Sequence, residues 1–193
     1  MLTEFGATDD LATIRRNVQE ADRHMVSWQY WHYCECLDPT TSGSGTQAIV
    51  IDPNQPPSGA NVKQAKLDVL AEPYPQVVAG TPTSFGFDDA TRRFALAYST
   101  KGPTGKNFAR RRAKRSGAKS RQTQIFVGAD RYPGGYAVSV KGGGIASKRR
   151  ASLLRVIACP GRRNVSVTVA PRGTGVRNHA DCKVTGRRKK RGR

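Results

Sequence analysis

The chain has 193 residues, 37% of them hydrophobic, so it can bury a core and is not wholly disordered. Its 33 Lys and Arg residues outnumber its 14 Asp and Glu residues, which gives a formal net charge of +19. The sequence has neither a run of about 18 apolar residues, as a membrane span requires, nor the basic and then apolar start of a signal peptide.

Much of the positive charge lies in two patches, residues 101–121 and residues 187–193. Clusters of arginine and lysine attract phosphate through counterion release, so a nucleic-acid partner has to be considered. Blocks of like charge, however, repel one another and are typical of solvated loops and tails. Because both patches lie between or beyond the patterned segments, we favour a basic loop and a basic tail. Nucleic acid is therefore the least favoured of the three kinds of partner.

The four cysteines do not have the spacing of a metal site. Cys34, Cys36, Cys159 and Cys182 repeat no two-residue spacing and have no neighbouring pair of histidines. We therefore predict no metal and no cofactor. In an oxidising compartment Cys34 and Cys36 could form disulfides with distant partners, for which Cys159 and Cys182 are candidates, and the sequence leaves the connectivity open.

The first 33 residues predict a strand, a helix and a second strand. Residues 2–6 are typical of the end of a short buried strand closed by glycine, and Thr8, Asp9 and Asp10 then supply the chemistry of a helix N-cap. Apolar residues follow at the three- and four-residue steps of an amphipathic helix: Leu11, Ile14, Val18, Ala21 and Met25. Residues 26–33 are rich in β-prone side chains and predict the second strand. Such a unit forms a parallel pair that needs further strands to cover it, so we expect the beginning of this domain to be missing from the chain.

The rest of the chain predicts a short helix and then an all-β region. An apolar run at residues 47–52 ends in turns, and a helix predicted over residues 62–71 is stopped by Pro73 and Pro75. Beyond Gly80 the hydrophobic period changes to two, and turn signals such as three consecutive glycines separate the runs. The alternating residues are Phe85, Phe87, Phe94, Leu96, Tyr98, Ile125, Val127, Val138, Val140, Leu154, Val156, Val165, Val167 and Val169. They indicate an antiparallel β-sandwich.

These patterns divide the chain into three regions. Residues 1–72 are predicted to be α/β, and residues 80–170 are predicted to be all-β, with the boundary near residues 73–80. The basic residues 101–121 are expected to form a long hairpin loop within the sandwich. Residues 171–193 are expected to be a basic disordered tail.

Several segments resemble one known family. They are residues 2–10, 27–34, 38–43, 84–88, 94–100 and 132–136. On these segments the chain resembles the C-terminal part of the endoglycoceramidase-type members of glycoside hydrolase family 5, whose catalytic (β/α)8 barrel is followed by a β-sandwich. The resemblance implies that residues 1–72 hold the last two strands of a partial (β/α)8 barrel and that residues 80–170 form the accessory sandwich.

The resemblance also implies two site residues. In the family, the nucleophile is a glutamate in a Thr-Glu-Phe-Gly-like motif at the end of the seventh barrel strand, which corresponds to Glu4. A tryptophan at the end of the eighth strand forms the floor of the sugar subsite, which corresponds to Trp31. These residue types suit retaining hydrolysis, because a carboxylate must attack the sugar carbon and an aromatic face can stack on the ring. The family's Asn-Glu pair, which supplies the acid/base, has no counterpart here, and nothing favours Glu35 or Asp38 as its replacement.

The expected function is that of the C-terminal portion of a retaining glycoside hydrolase. The complete enzyme would cleave O-glycosyl bonds of glycolipids or related β-glycosides, and this chain alone is expected to be inactive. Full-length members of the family are expected to be secreted, whereas the sequence leaves the location of this chain unknown. The exposed apolar faces of an incomplete barrel also predict self-association.

Other interpretations of the same residues need no enzyme. Without the resemblance, Glu4 is a carboxylate beside a glycine at a helix entry. We expect Trp28 to pack against the helix and His32 to face away from Trp31, since alternate residues of a strand point to opposite faces. An alternative function is a module whose sandwich binds carbohydrate, an anionic lipid membrane or another protein, with the basic residues 101–121 adding electrostatic attraction.

Overall fold

Residues 1–34, 47–109 and 121–184 are described by the computed structural model of this chain. They fall into two units, Met1–Glu72 and Pro73–Arg193. The first unit contains both α-helices of the described ranges, and the second contains all of their β-strands. The change from helix to strand therefore coincides with the change in hydrophobic period along the sequence.

The first predicted helix is confirmed as α1 (Leu11–Arg23). Asp10 caps it, because its Oδ1 accepts a hydrogen bond at 2.9 Å from the Ala12 N–H, one of the amides that a helix start leaves without a partner. The buried apolar residues of the helix are Ile14, Val18 and Ala21. The expectation for Met25 is wrong: the helix ends before it, its φ is 54°, and its side chain is exposed.

The second predicted helix is confirmed as α2 (Gln64–Leu70), which follows a short 3-10 turn (Gly59–Asn61). Its residues Val69 and Leu70 join the buried residues of α1 in one small apolar cluster. Partly buried residues of the neighbouring segments pack against this cluster: Phe5, Leu11, Trp28, Tyr30 and Ile49. Within the described ranges, no helix has the length and apolar character that crossing a membrane demands.

The segments on either side of α1 pair in parallel, as the strand, helix and strand pattern predicts. They form a single bridge between Leu2 and Trp28 rather than two extended strands. The Leu2 N–H donates to the Ser27 carbonyl at 2.8 Å, and the Gln29 N–H donates to the Leu2 carbonyl at 2.9 Å. Two hydrogen bonds therefore fix the parallel register at the start of the chain.

The second unit is built from two sheets. Its strands are β1 (Tyr74–Val77), β2 (Thr81–Asp88), β3 (Arg93–Ser99), β4 (Gln122–Phe126), β5 (Tyr136–Lys141), β6 (Gly143–Ile145), β7 (Leu153–Ala158), β8 (Asn164–Pro171) and β9 (His179–Ala180). One sheet has the order β1-β4-β7-β6, and the other has the order β2-β3-β8-β5-β9. Neighbouring strands are antiparallel except for the parallel pair β5 and β9.

Side chains from both sheets meet in one apolar cluster. Ile125 and Val156 contribute from the four-stranded sheet, and Phe94 and Val140 contribute from the five-stranded sheet. Burial alternates along β3 and along β7, as expected for strands that present one face to a core. Two sheets that share a core in this way have the layering of a β-sandwich.

The six strands predicted from alternation are confirmed as β2, β3, β4, β5, β7 and β8. Alternation does not predict the short strands β1, β6 and β9. Strand β6 falls where consecutive glycines predict a turn. At Gly144 a side chain would overlap the Cys182 carbonyl, so the glycine allows the segment after β9 to approach β6 closely and carries no hydrophobic signal.

The expectation of a hairpin loop over residues 101–121 is wrong, because the flanking strands β3 and β4 lie in different sheets and do not pair with each other. Lys101 and Asn107 form an isolated antiparallel β-bridge. The Arg121 guanidinium donates to the Phe108 carbonyl from Nε at 2.9 Å and from Nη2 at 2.6 Å. The patch of consecutive basic residues at 110–120 lies outside the described residues.

The expectation of a disordered tail from residue 171 is wrong for residues 171–184. Strand β9 pairs with β5, and the Asp181 carboxylate accepts a hydrogen bond from the Gly142 N–H at 2.7 Å. Cys182 forms a disulfide with Cys159, with an S–S distance of 2.04 Å. These polar and covalent contacts hold a segment whose composition is too polar to predict folding. Residues 185–193, the basic end of the predicted tail, lie outside the described residues.

The same disulfide settles part of the cysteine connectivity. Because Cys159 and Cys182 bond to each other, neither is a partner for Cys34 or Cys36. Cys34 is also disulfide-bonded, whereas Cys36 lies outside the described residues. Oxidised cysteines are typical of proteins that fold in an oxidising compartment.

Replacing Cys159 and Cys182 together by serine should destabilise the second unit by about 3 kcal/mol, because the bond spans 23 residues and restricts the unfolded chain. Hydrogen exchange at His179–Ala180 should accelerate, since β9 loses its covalent attachment. Hydrogen-exchange mass spectrometry measures both effects, and the double variant Cys34→Ser/Cys36→Ser, which leaves no free thiol, is the control that should leave β9 unchanged. Unaltered protection of β9 in the double variant would contradict a structural role for the bond.

Candidate active site

Glu4 lies between Leu2 and Phe5, whose backbones are both hydrogen-bonded to the segment after α1. Its side chain is exposed, and it forms no ion pair or hydrogen bond with another residue of the described ranges. The next residue, Phe5, accepts a hydrogen bond at its carbonyl from the Trp31 N–H at 2.9 Å. Glu4 and Trp31 therefore lie on adjacent, parallel segments, and the structure shows no direct contact between their side chains.

The other carboxylates that are described in the first unit are engaged in structural contacts. Asp9 pairs with lysine, Asp10 caps α1, Glu20 pairs with Arg23, Asp22 bonds to Glu72, Asp52 accepts from Asn54, and Asp68 accepts from Gln64. Among the described carboxylates of this unit, Glu4 alone has no such partner. Glu35 and Asp38 lie outside the described residues.

Trp31 is partly buried, and its indole Nε1 is enclosed without a hydrogen-bond acceptor in the described part of the chain. The Trp31–His32 peptide is cis. The centres of the two rings lie 5.3 Å apart, and the angle between the ring planes is 35°. The expectation that His32 faces away from Trp31 is therefore wrong. The chain bends at Trp31, so the alternation of a regular strand does not apply there.

Trp28 packs in the apolar cluster of the first unit, as predicted. Its ring meets the Phe5 ring edge-on at 5.6 Å, and Phe5 meets Tyr30 in the same way at 5.6 Å. Edge-to-face contacts of this kind add to the free energy gained by burial. Phe5 is thus held against the residues that precede Trp31, while the neighbouring Glu4 side chain is left exposed.

Gly6 and Tyr30 form the closest contact of this site. Gly6 has a φ of 118°, and a side chain there would overlap the Tyr30 ring. The single O–H of Tyr30 is shared between the Gln47 carbonyl at 2.9 Å and the Gly6 carbonyl at 3.2 Å. Burial, together with the Asp9 charge, raises the Tyr30 pKa to about 12, so the hydroxyl stays protonated and can donate.

A buried lysine secures the loop between Gly6 and α1. Lys66 is only 2% exposed, and its Nζ lies 2.6 Å from Asp9 Oδ1 and 5.7 Å from the centre of the Tyr30 ring. Lys63 reaches the same carboxylate at 3.3 Å. Desolvation raises the Asp9 pKa, but hydrogen bonds and charge from the two lysines outweigh it and lower that pKa overall. Sequence reasoning misses this cluster because a lysine in a short amphipathic helix predicts an exposed position.

A second buried polar contact lies at the other end of α1. Asp22 is only 6% exposed, and burial raises its pKa to about 6, although hydrogen bonds with Glu72 and Trp28 act in the opposite direction. Glu72 is also buried. One proton held by this pair would avoid two adjacent buried charges. Within the described ranges, no cluster of three or more His, Cys, Asp or Glu residues could hold a metal ion.

Comparison with known proteins identifies relatives for both units. Residues 73–169 match the family model of the glycoside hydrolase family 5 C-terminal domain. Endoglycoceramidase I of Rhodococcus hoagii (strain 103S) is 30% identical over 160 residues, which cover 82% of this chain and 25% of that protein. The match to that relative therefore extends well beyond the second unit.

Solved structures of a further relative have the same fold. Endo-glycoceramidase II from Rhodococcus sp., as a lactosyl-enzyme intermediate, superposes with a TM-score of 0.58 at 25% identity. The same enzyme in complex with ganglioside GM3 gives a TM-score of 0.57 at 24% identity. These matches cover 88% of this chain, and 32% and 31% of the two solved chains. The chain thus spans about a quarter to a third of the length of its relatives.

Gly6→Ala should destabilise the first unit by at least about 2 kcal/mol, because it adds a clash with Tyr30 to the strain of a positive φ. Gly59→Ala is the matched control, since Gly59 has a φ of 58° with open space around it, and it should cost about 1 kcal/mol. Urea unfolding monitored by tryptophan fluorescence tests this, because both tryptophans lie in the first unit. Equal losses in the two variants would contradict a close Gly6–Tyr30 contact.

Asp22→Asn should remove a pH dependence of the stability of the first unit. In the folded state the pKa of Asp22 is about 6, above the ordinary carboxyl value. The contribution of protonated Asp22 to stability is therefore complete below about pH 4 and is lost as the pH rises through 6. At neutral pH the variant should be more stable than the parent by on the order of 2 kcal/mol, since its amide stays uncharged. Fluorescence-monitored unfolding across this pH range provides the measurement, with the exposed Asp68→Asn as control. An unchanged pH profile in Asp22→Asn would refute the assignment.

Proposed function

Because this chain belongs to glycoside hydrolase family 5, as the match over residues 73–169 shows, we propose that Met1–Glu72 is the end of that family's (β/α)8 catalytic barrel. The parallel pairing of the segments around α1 supports this, since neighbouring strands of such a barrel are parallel and are connected by a helix. Pro73–Arg193 then supplies the accessory β-sandwich that follows the barrel.

In this proposal Glu4 is the nucleophile of a retaining glycoside hydrolase. An attacking carboxylate must be ionised and accessible, and Glu4 is the exposed carboxylate without a structural partner in the described part of this unit. Its position before Phe5 and Gly6 places it where a paired segment leads into a loop, and the active sites of such barrels lie at the strand ends.

Trp31 is proposed to form the floor of the sugar subsite next to Glu4. The Phe5–Trp31 hydrogen bond supports this role, because it brings the two segments together one residue after Glu4. The packing of Trp28 against α1 supports it further, since this leaves Trp31 as the tryptophan outside the apolar cluster. An aromatic ring can stack on the apolar face of a sugar while carboxylates act on its polar edge.

The acid/base is proposed to come from residues that this chain does not contain. Retaining hydrolysis needs a second carboxyl group about 5 Å from the nucleophile, and it must be protonated before attack. The other described carboxylates of the first unit have structural partners, and the relatives are three to four times longer than the matched region. We therefore expect no turnover by this chain alone.

The proposed substrate class is glycolipid. It rests on the relatives, which are named as endoglycoceramidases, one of them in complex with ganglioside GM3. The exposed carboxylate of Glu4 and the partly buried ring of Trp31 suit the sugar part of such a molecule. The proposal concerns the bond between sugar and aglycone and leaves the particular glycan open.

The proposed roles of Glu4 and Trp31 can be tested in a chimaera in which this chain replaces the matching 160-residue segment of the Rhodococcus hoagii endoglycoceramidase I. It should hydrolyse a fluorescent glycosphingolipid, whereas the purified chain alone should not. In the chimaera, Glu4→Gln should lower kcat at least about a thousandfold, because it removes the group that forms the glycosyl bond. Trp31→Ala should lower kcat/KM by about tenfold through lost stacking.

Glu20→Gln is the matched control in the same chimaera. Glu20 is partly exposed and pairs with Arg23 on α1, so its loss should change the rate by less than about twofold. Turnover by the isolated chain that disappears in Glu4→Gln would show that a complete site assembles from this chain. A chimaera that keeps full activity in Glu4→Gln would exclude Glu4 as the nucleophile.

A further inference from the structure

The positive charge of the chain is concentrated in its second unit. Pro73–Arg193 contains 28 of the 33 Lys and Arg residues but only four of the 14 Asp and Glu residues. A surface with this excess attracts anions over distances of about a Debye length. The question is whether the fold gathers any of these cations into a site.

Four of the cations surround one cavity of about 200 Å³. Lys148, Arg149 and Arg150 come from the loop between β6 and β7, and Arg172 follows β8. Ser147 and Asn178 complete the polar part of the wall. Two segments separated in the sequence, residues 148–150 and Arg172, therefore bring their cations to one cavity of the sandwich.

Backbone and side-chain contacts hold this convergence in place. Pro171 pairs with Tyr136 across β8 and β5, and the Arg172 N–H donates to the Gly135 carbonyl at 3.2 Å. The Tyr136 hydroxyl donates to the Ala151 carbonyl at 2.6 Å and so attaches the β6–β7 loop to β5. The loop that carries three of the cations is therefore attached to the strands that carry the rest of the cavity wall.

Glycine at position 135 lets an arginine enter the cavity. Gly135 has a φ of 81°, and a side chain there would meet the Arg150 guanidinium at 2.9 Å. The floor beneath the cations is apolar and is formed by Val138, Ile145 and Leu154. Asn178 accepts a hydrogen bond from the Val138 N–H at 2.9 Å through Oδ1, so its amide nitrogen is a further donor on the wall.

The described residues that line the cavity do not balance its positive charge. None of the residues that line it is acidic. Among the described acids of this unit, Asp89 pairs with Arg131 at 3.0 Å, and Asp181 contacts His179 at 2.9 Å. Cations brought together without a carboxylate repel one another, and an oxyanion that accepts several charge-assisted hydrogen bonds would relieve this.

We propose that this cavity binds the oxyanion, a phosphate or a carboxylate, of an anionic lipid headgroup. Guanidinium groups match both oxyanions, since their N–H donors bond in pairs to two oxygens. A nucleic acid is disfavoured because its repeated phosphates need a line of contacts, whereas these cations surround one cavity with an apolar floor. The site lies within the second unit and does not depend on the proposed roles of Glu4 and Trp31.

The test measures binding of the full chain to vesicles of phosphatidylcholine, with and without phosphatidic acid or phosphatidylserine, by flotation. The parent chain should bind the anionic vesicles, and inorganic phosphate should compete. The double variant Arg150→Gln/Arg172→Gln should bind phosphatidic acid vesicles about thirtyfold more weakly. Arg150→Lys/Arg172→Lys should retain most of the binding, because both charges remain near the surface.

The matched control removes two exposed charges elsewhere on the same unit. Arg93 and Arg163 are exposed and do not line the cavity. Arg93→Gln/Arg163→Gln should therefore weaken binding by no more than about threefold. Thermal unfolding by circular dichroism establishes that each variant is folded.

Three results would overturn the proposal. Equal weakening by the two glutamine double variants would mean that overall charge, and not this cavity, attracts the vesicles. Calorimetric binding of inorganic phosphate that is lost in Arg150→Gln/Arg172→Gln, without any vesicle binding by the parent, would assign the cavity to a free anion. Binding of a DNA oligonucleotide with the same dependence on Arg150 and Arg172, and stronger than vesicle binding, would assign it to nucleic acid.

Discussion

The backbone pairing between the segments on either side of α1 is the constraint on which the candidate site depends. Hydrogen bonds from Leu2 to Ser27 and from Trp31 to Phe5 fix a parallel register, and this register determines which residues become neighbours across the pair. Gly6 makes the register possible, since any larger residue would overlap Tyr30. With the pairing in place, Phe5 turns inward to the apolar cluster and Glu4 is left exposed.

The two units are stabilised by different forces. The second unit has a large apolar core between two sheets, to which a disulfide attaches its last described strand. The first unit has a small apolar cluster and two polar contacts made by buried side chains, that of Lys66 with the exposed carboxylate of Asp9 and that of Asp22 with Glu72. Breaking a buried ion pair leaves one charge without a partner, so such a unit is sensitive to single substitutions. The proposed headgroup site and the proposed sugar site likewise lie in separate units.

Hydrophobic period was sufficient to predict both helices and six strands, because burial against a core forces apolar residues onto one face. It could not predict β6, which is built on glycines, or β9, which is held by a disulfide and by Asp181. Family resemblance pointed to Glu4 and Trp31, whereas the Lys66–Asp9 contact and the cation-lined cavity have no sequence signal. Lys66 and Asp9 are distant in the sequence, as are residues 148–150 and Arg172, and only the packing of α2 and the pairing of strands bring them together.

The central claim is that Glu4 attacks the sugar, and it can be tested by trapping the covalent intermediate. The chimaera with the Rhodococcus hoagii relative would be treated with an activated 2-deoxy-2-fluoro glycoside, which slows release of the glycosyl-enzyme, and then digested for peptide mass spectrometry. The account predicts a glycosyl adduct on the peptide that contains Glu4. An adduct on any other carboxylate, with Glu4 unmodified, would contradict it.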